Sequence, residues 1–248
     1  MFSLEGKNAL VTGATGGIGE AIARSLHAQG ATVSLSGTRA EKLEALAADL
    51  GERAYVTPAN LSDRAAVDAL LPAAEEKMGS VDILVNNAGI TRDNLAMRMK
   101  DEEWSDVLKV NLEAAFRLSR AAARPMMKAR FGRIVSITSI VGATGNPGQA
   151  NYAAAKAGLV GMARSITREL GGRGITANVV APGYIAETEF FGDALTDERR
   201  RSLIDAAMTK RAGAPADIAE TVWFLASPGA GQITGQTFAV NGGEQPTR

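Results

Sequence analysis

Ala9-Leu10-Val11-Thr12-Gly13-Ala14-Thr15-Gly16-Gly17-Ile18-Gly19 runs from an apolar stretch into a glycine-rich turn and on into a segment of helical period. Glycines at 13, 17 and 19 permit a tight turn, close approach of backbone to a pyrophosphate and close helix packing, and the following helix N-terminus favours negative charge. A plain glycine-rich turn has the same composition, so the surroundings decide. Working outward, strand-like runs are predicted at residues 9–12, 32–36, 54–57, 83–85, 133–138, 176–181 and 237–240. Helical stretches are predicted near 17–28, 40–50, 65–77, 102–129, 150–170 and 215–226. This alternation predicts one α/β domain spanning 1–248, a doubly wound, seven-stranded parallel sheet with helices on both faces. In such sheets the ligand crevice lies at the carboxyl ends of the strands. Residues 183–210 are expected to form a substrate lid, because 183–196 carries no strong periodicity.

The bulk numbers narrow the function classes. A chain of 248 residues, 46% of them hydrophobic, can bury one large core. Lys and Arg total 27, as do Asp and Glu. There is thus no global field to recruit nucleic acid or an anionic membrane, and neither is expected as a partner. The chain has no cysteine and one histidine, His27. That excludes disulfides and thiolate nucleophiles, and no metal site is expected. The start, Met1-Phe2-Ser3-Leu4-Glu5, lacks a basic region and an apolar run, so a cytoplasmic location is expected.

Several segments beyond the glycine turn carry chemistry. The second strand ends in Ser36-Gly37-Thr38-Arg39, where an NAD protein usually places a carboxylate against the ribose. A hydroxyl and a guanidinium suit a 2′-phosphate instead, which points to NADP(H), with Glu41 the carboxylate that a shifted register would bring to the ribose. Asn60 and Leu61 follow the third strand. The amide of Asn60 can hold an adenine edge, while Ser62 or Asp63 is expected to cap the next helix. Asn87, Ala88 and Gly89 after the fourth strand let a flat cofactor approach the backbone, although consecutive asparagines also suit turns. Pro182 and Gly183 end the sixth strand as a wall for a planar ring would.

Tyr152 and Lys156 lie four apart on a predicted helix and so share a face. The ammonium is expected to lower the phenol's pKa and make it a general acid. A buried tyrosine beside a snorkelling lysine would show the same spacing. Ser139, at the end of a strand entering the crevice, favours the catalytic reading.

Together these segments resemble the short-chain dehydrogenase/reductase family over nearly the whole chain, and imply a Rossmann-type domain. The family glycine motif matches Gly13, Gly17 and Gly19, its Asn-Asn-Ala-Gly motif matches residues 86–89, and its catalytic tetrad matches Asn111, Ser139, Tyr152 and Lys156. Residues 87–104, 148–158 and 240–243 are most similar to the bacterial 3-oxoacyl-[acyl-carrier-protein] reductases of that family. The resemblance implies NADPH-dependent reduction of a 3-oxoacyl thioester in fatty acid biosynthesis. It implies cofactor contacts from Thr15, Gly16, Ile18, Ile185 and the turns above, with Tyr152 and Lys156 touching the nicotinamide ribose. Asn111 would position a water beside Lys156, the subunits would form a homotetramer, and Arg130 and Arg173 would meet an acidic carrier protein. Thr15 and Gly16 stand where many NADP-dependent relatives have a basic residue, so Arg39 must do most of the phosphate recognition. Residues 186–193 are more acidic than usual in such reductases, which loosens the expectation for the acyl pocket. A reductase of another ketone such as acetoacetyl-CoA, or an idle dinucleotide-binding regulator, would share the fold.

Overall fold

The computed structural model describes residues 2–186, 188 and 195–245. Seven strands form one parallel sheet in the order β3-β2-β1-β4-β5-β6-β7. They are β1 (Asn8–Thr12), β2 (Thr32–Ser36), β3 (Ala54–Val56), β4 (Ile83–Asn86), β5 (Gly132–Ile137), β6 (Ile175–Pro182) and β7 (Thr237–Val240). The larger helices are α1 (Gly17–Ala28), α2 (Ala40–Leu50), α3 (Arg64–Met78), α4 (Asp101–Leu108), α5 (Ala114–Ala129), α7 (Ala150–Leu170), α8 (Asp197–Ala206) and α9 (Pro215–Ala226), with a single turn, α6 (Val141–Thr144), between β5 and α7.

The strands separate two cores by their period of two. In β1, Ala9 and Val11 face a cluster with Ile22 and Leu26 of α1, Leu43 of α2 and Val222 of α9. Leu10 between them faces Leu70 of α3, Leu118 of α5 and Leu159 of α7. β4 repeats the division, with Ile83 and Val85 on the first face and Leu84 on the second. Each buried Val, Leu or Ile among them contributes about 1.5–3 kcal/mol by leaving water, and the sheet is covered twice, as near-continuous apolar strands require.

Strand order reverses between β1 and β4, so the loops leaving those two strands diverge and open a crevice at their carboxyl ends. The glycine turn leaves β1 there and Asn87-Ala88-Gly89 leaves β4. One predicted element is divided. The helix expected over 102–129 runs as α4, a π-helical turn (Lys109–Glu113) and α5, because the extra residue in the turn brings Asn111 inward, where it is 2% exposed. Two elements were not foreseen: α6, which is four residues long, and α8, whose Arg199-Arg200-Arg201 run interrupts any apolar period. The lid expected over 183–210 includes α8, but its acidic part, residues 187 and 189–194, lies outside the described residues.

Candidate active site

The glycine turn is built by close contacts that leave no room for a side chain. Gly13 has φ +66°, and a Cβ there would stand 2.8 Å from Asn87 Nδ2. A Cβ on Gly19 would collide with the carbonyl oxygen of Gly13. The Asn87 amide fastens this arrangement, donating from Nδ2 to the carbonyls of Thr12 (2.9 Å) and Gly13 (3.2 Å). Thr12 Oγ1 accepts from the N–H groups of Asn87 and Ala88 at 3.0 and 3.1 Å. Thus Asn87 shapes the floor of the crevice, while Ala88 and Gly89 lie against it. No side chain caps α1, whose N-cap is Gly16. The first acidic residue of the helix, Glu20, is engaged by Arg24. The N–H groups around Gly17 and Ile18 are therefore available to an anion.

Arg39 crosses from the end of β2 to this turn, donating to the Thr15 carbonyl at 2.6 Å and to Thr15 Oγ1 at 3.2 Å. The cation expected to read a 2′-phosphate is thereby held at the glycine turn, next to the exposed Thr38. Asn60 Oδ1 accepts from Ser62 N (3.0 Å) and Ser62 Oγ (2.8 Å), which leaves the NH2 end of its amide for a ligand. Leu61 is buried in the core and can offer only backbone. Asp63 caps α3 by accepting from Ala65 N at 2.9 Å, as expected. On the far wall, Pro182 accepts from Ile140 N (2.9 Å), and Gly183 packs on Asn241. The Ile185 side chain points into the core. These residues fit a nicotinamide dinucleotide: a side-chain-free cradle at a helix N-terminus, a guanidinium beside it and a small-residue wall opposite.

The four tetrad residues meet where β4, β5, the π turn and α7 converge. Ser139 and Tyr152 share a side-chain hydrogen bond. Lys156 donates from Nζ to the Ile137 carbonyl at 2.8 Å and stands 5.5 Å from the centroid of the Tyr152 ring. A Cβ on Gly89 would lie 3.4 Å from both Asn111 Oδ1 and Lys156 Nζ, so the loop after β4 touches the lysine and the asparagine together. Thr138 Oγ1 donates to the Lys156 carbonyl at 2.7 Å, tying β5 to α7. The Asn111 side chain is fully engaged with Ile90, accepting from its N–H (2.8 Å) and donating to its carbonyl (2.9 Å). In this state it fastens the β4 loop to the π turn, a role the sequence reading did not include.

The pair's electrostatics differ from expectation. Tyr152 is 6% exposed and Lys156 3%. Burial pushes the phenol up to about 12, against which the Ser139 hydrogen bond pulls it down. Burial pushes the lysine down to about 8. Desolvation, which opposes both charges, therefore outweighs the expected lowering of the tyrosine by the lysine, whose ammonium stands 5.5 Å from the ring centroid. The directions of both shifts keep the phenol in its neutral, proton-donating form and place the lysine closer to neutrality than an exposed one.

The backbones at Arg130 and Arg173 are brought close, since a Cβ on Gly174 would collide with the Arg130 carbonyl oxygen. They lie at the amino ends of β5 and β6, however, about 20 Å from Ser139 along the six residues of β5. Sequence reasoning also passed over Asp93, Gln149 and Asn151, polar residues whose partners are remote in sequence: Gln149 Nε2 donates to Asp93 Oδ2 at 2.8 Å, and Asn151 Nδ2 donates to the Arg92 and Glu103 carbonyls. Among the described residues, no group of acidic or histidine side chains could hold a metal ion, and no helix is long and apolar enough to cross a membrane.

A dinucleotide cradle that opens on a half-buried serine beside a buried tyrosine and lysine defines an oxidoreductase of the doubly wound α/β class. A family model described as Enoyl-(Acyl carrier protein) reductase matches residues 13–245. Nodulation protein G of Rhizobium sp. (strain N33) is 56% identical over 243 residues, covering 98% of each chain. The 3-oxoacyl-[acyl-carrier-protein] reductase FabG of Escherichia coli (strain K12) is 52% identical over 242 residues, covering 98% of each. That of Haemophilus influenzae is 51% identical over 240 residues, covering 97% of this chain and 98% of its own. The chain belongs to the short-chain dehydrogenase/reductase family, and within it is similar to the 3-oxoacyl-[acyl-carrier-protein] reductases.

Proposed function

We propose that the protein reduces the 3-oxo group of an acyl thioester borne by acyl carrier protein, with NADPH, in cytoplasmic fatty acid biosynthesis. The observation that carries the reading is the buried Tyr152, hydrogen-bonded to Ser139 with the buried Lys156 Nζ 5.5 Å from its ring centroid. The two FabG relatives support the substrate class, and Arg39 at the glycine turn supports NADP over NAD. Bound at the cradle, NADPH would supply the hydride that reaches the ketone carbon. Ser139 would donate a hydrogen bond to the ketone oxygen, where negative charge grows. Tyr152 would give that oxygen its phenolic proton, leaving a phenolate next to the Lys156 ammonium. Lys156 would also orient the ribose hydroxyls, and Asn111 would keep the loop after β4 against the lysine.

A carrier protein docked on Arg130 and Arg173 would serve a site about 20 Å away, or the site of a neighbouring subunit if the chain forms a tetramer. The 56%-identical relative favours a second reading, since its name refers to nodulation and not to a carrier-protein reaction: the same chemistry on a thioester of a separate pathway. NADPH and NADH oxidation with acetoacetyl thioesters of carrier protein and of CoA separates these readings. Absence of turnover with every 3-oxoacyl thioester refutes both, as does near-normal turnover by Tyr152→Phe. Reversing both arginines should raise KM for the carrier substrate alone, and unchanged kinetics would remove the docking site.

A further inference from the structure

The first turn of α7, which carries Tyr152, is fastened from outside by the loop that follows β4. Asn94 N donates to the Gly148 carbonyl at 2.9 Å. Asn151, fully buried, donates to the Arg92 carbonyl at 2.9 Å and accepts from Tyr152 N at 2.7 Å. Between these backbone fastenings stands one made by side chains alone. Gln149, the N-cap of α7 and 6% exposed, donates to Asp93 Oδ2 at 2.8 Å and accepts from Asn146 Nδ2 at 2.9 Å. Both ends of its amide are used, so it joins the loop after β4 to the segment between α6 and α7. Asp93 is exposed, and its charge is felt at the phenol three residues beyond Gln149.

We propose that Asp93 is a positioning residue of the reaction: acting through Gln149, its carboxylate locks the first turn of α7 and so fixes where the Tyr152 hydroxyl stands relative to Ser139. The proposal rests on the reductase reading of the site. A hydrogen-bonded carboxylate is a stronger acceptor for the Gln149 amide than a neutral group, and a donor displaced by a fraction of an ångström loses rate steeply. The same charge opposes ionisation of the phenol and helps keep it a proton donor. Other charged groups on the elements packed around Tyr152 are Lys156 and, farther along α7, Arg164, Arg168 and Glu169; Arg92 beside Asp93; Asp101, Glu102, Glu103 and Asp106 on α4; and Lys109 and Glu113 on the π turn; α6 brings none. Arg92 stands 4.0 Å from Asp106, and Glu103 is held by Lys100 N and Asn94.

The test compares Asp93→Asn, Asp93→Glu and Gln149→Leu with the wild type, using acetoacetyl-CoA with NADPH and 3-hydroxybutyryl-CoA with NADP+. Asp93→Asn and Gln149→Leu should each lower kcat about tenfold, with NADPH affinity by fluorescence titration unchanged and with partial recovery in Asp93→Glu. The rise of the oxidation rate with pH should come at lower pH in Asp93→Asn, which removes the charge, and stay in place in Gln149→Leu, which keeps it. Hydrogen exchange of the amides at 150–153 should quicken in both. If both variants keep kcat within about twofold of wild type, or exchange at 150–153 is unchanged, the proposal is overturned. Wild-type protein inactive on both thioesters would refute the reductase reading, and the exchange experiment would still decide the latch.

Discussion

Replacing Lys156 by methionine removes a charge that burial disfavours. The lysine is driven from an ordinary 10.5 to about 8 by desolvation. At 1.36 kcal/mol per unit, the native state carries a penalty of about 3 kcal/mol wherever the unfolded chain holds a proton that the folded chain resists. Because the folded value is the lower one, the penalty is full below pH 8 and fades as pH rises from about 8 toward 10.5. Methionine fills nearly the same volume but abandons the hydrogen bond to the Ile137 carbonyl, which costs about 1 kcal/mol. A net gain of about 1–2 kcal/mol is expected at pH 7, or roughly 2–8 °C in Tm for a chain of this size. Differential scanning fluorimetry of the ligand-free protein at pH 7 and pH 9.5 reads it. The variant should melt higher at pH 7, and its advantage should shrink at pH 9.5 while reductase activity is lost. A variant that melts lower than wild type by the same margin at both pH values would show that Lys156 is not held against its charge, and the argument from burial would fail.

Gly19→Ala should lower stability by about 1–3 kcal/mol and abolish dinucleotide binding, because the added Cβ collides with the Gly13 carbonyl; calorimetric titration and a melt check both, and retained binding would reject the cradle. Arg39→Ala should weaken NADPH by about 1.5–3 kcal/mol and leave NADH nearly unchanged, as read from the ratio of their KM values. In the wild type, kcat/KM for reduction should fall as pH rises through about 8, where Lys156 loses its proton in the free enzyme, and Lys156→Arg should move that fall upward; a flat profile to pH 9.5 would contradict the assignment. Asn151→Ala, which breaks three bonds of a fully buried amide, should cost about 2–4 kcal/mol in a denaturant melt.

The sheet was legible because a twice-covered parallel strand is apolar on both faces, so Ala9-Leu10-Val11 and Ile83-Leu84-Val85 announce themselves without a partner. The helices α1, α2 and α9 carry a period and end in recognisable residues such as Gly51 after α2. The π turn was not legible, since one inserted residue shifts the apolar period by an amount that a break or an ordinary kink would also produce. Chemistry was legible where the residue type itself is unusual for its place: a lysine four after a tyrosine, glycines after a strand, an arginine where a carboxylate is usual. It was not legible where a common residue acts through a distant partner. Asp93 reads as a surface aspartate and Gln149 as a turn residue, and only folding sets the two 2.8 Å apart across 56 positions.

The sequence also gives the Tyr152–Lys156 pair a simpler physics than the structure does. Spacing places a cation near a phenol but contains no information on how much water is left around either, and here water is nearly absent from both. A phenol raised to about 12 is a weaker acid than an exposed one, which at first opposes its role. The acceptor, however, is an alkoxide formed in the same dry space, intrinsically a far stronger base than a phenolate and penalised by the same desolvation. In the proposed mechanism, transfer of the proton would therefore run downhill, moving negative charge from the substrate oxygen to the tyrosine oxygen. Between turnovers, high pKa keeps the phenol loaded with its proton, and Asp93 adds to that bias from outside. In that mechanism burial would do for readiness what the lysine alone was expected to do for acidity, and Lys156 would act on the phenolate after it forms.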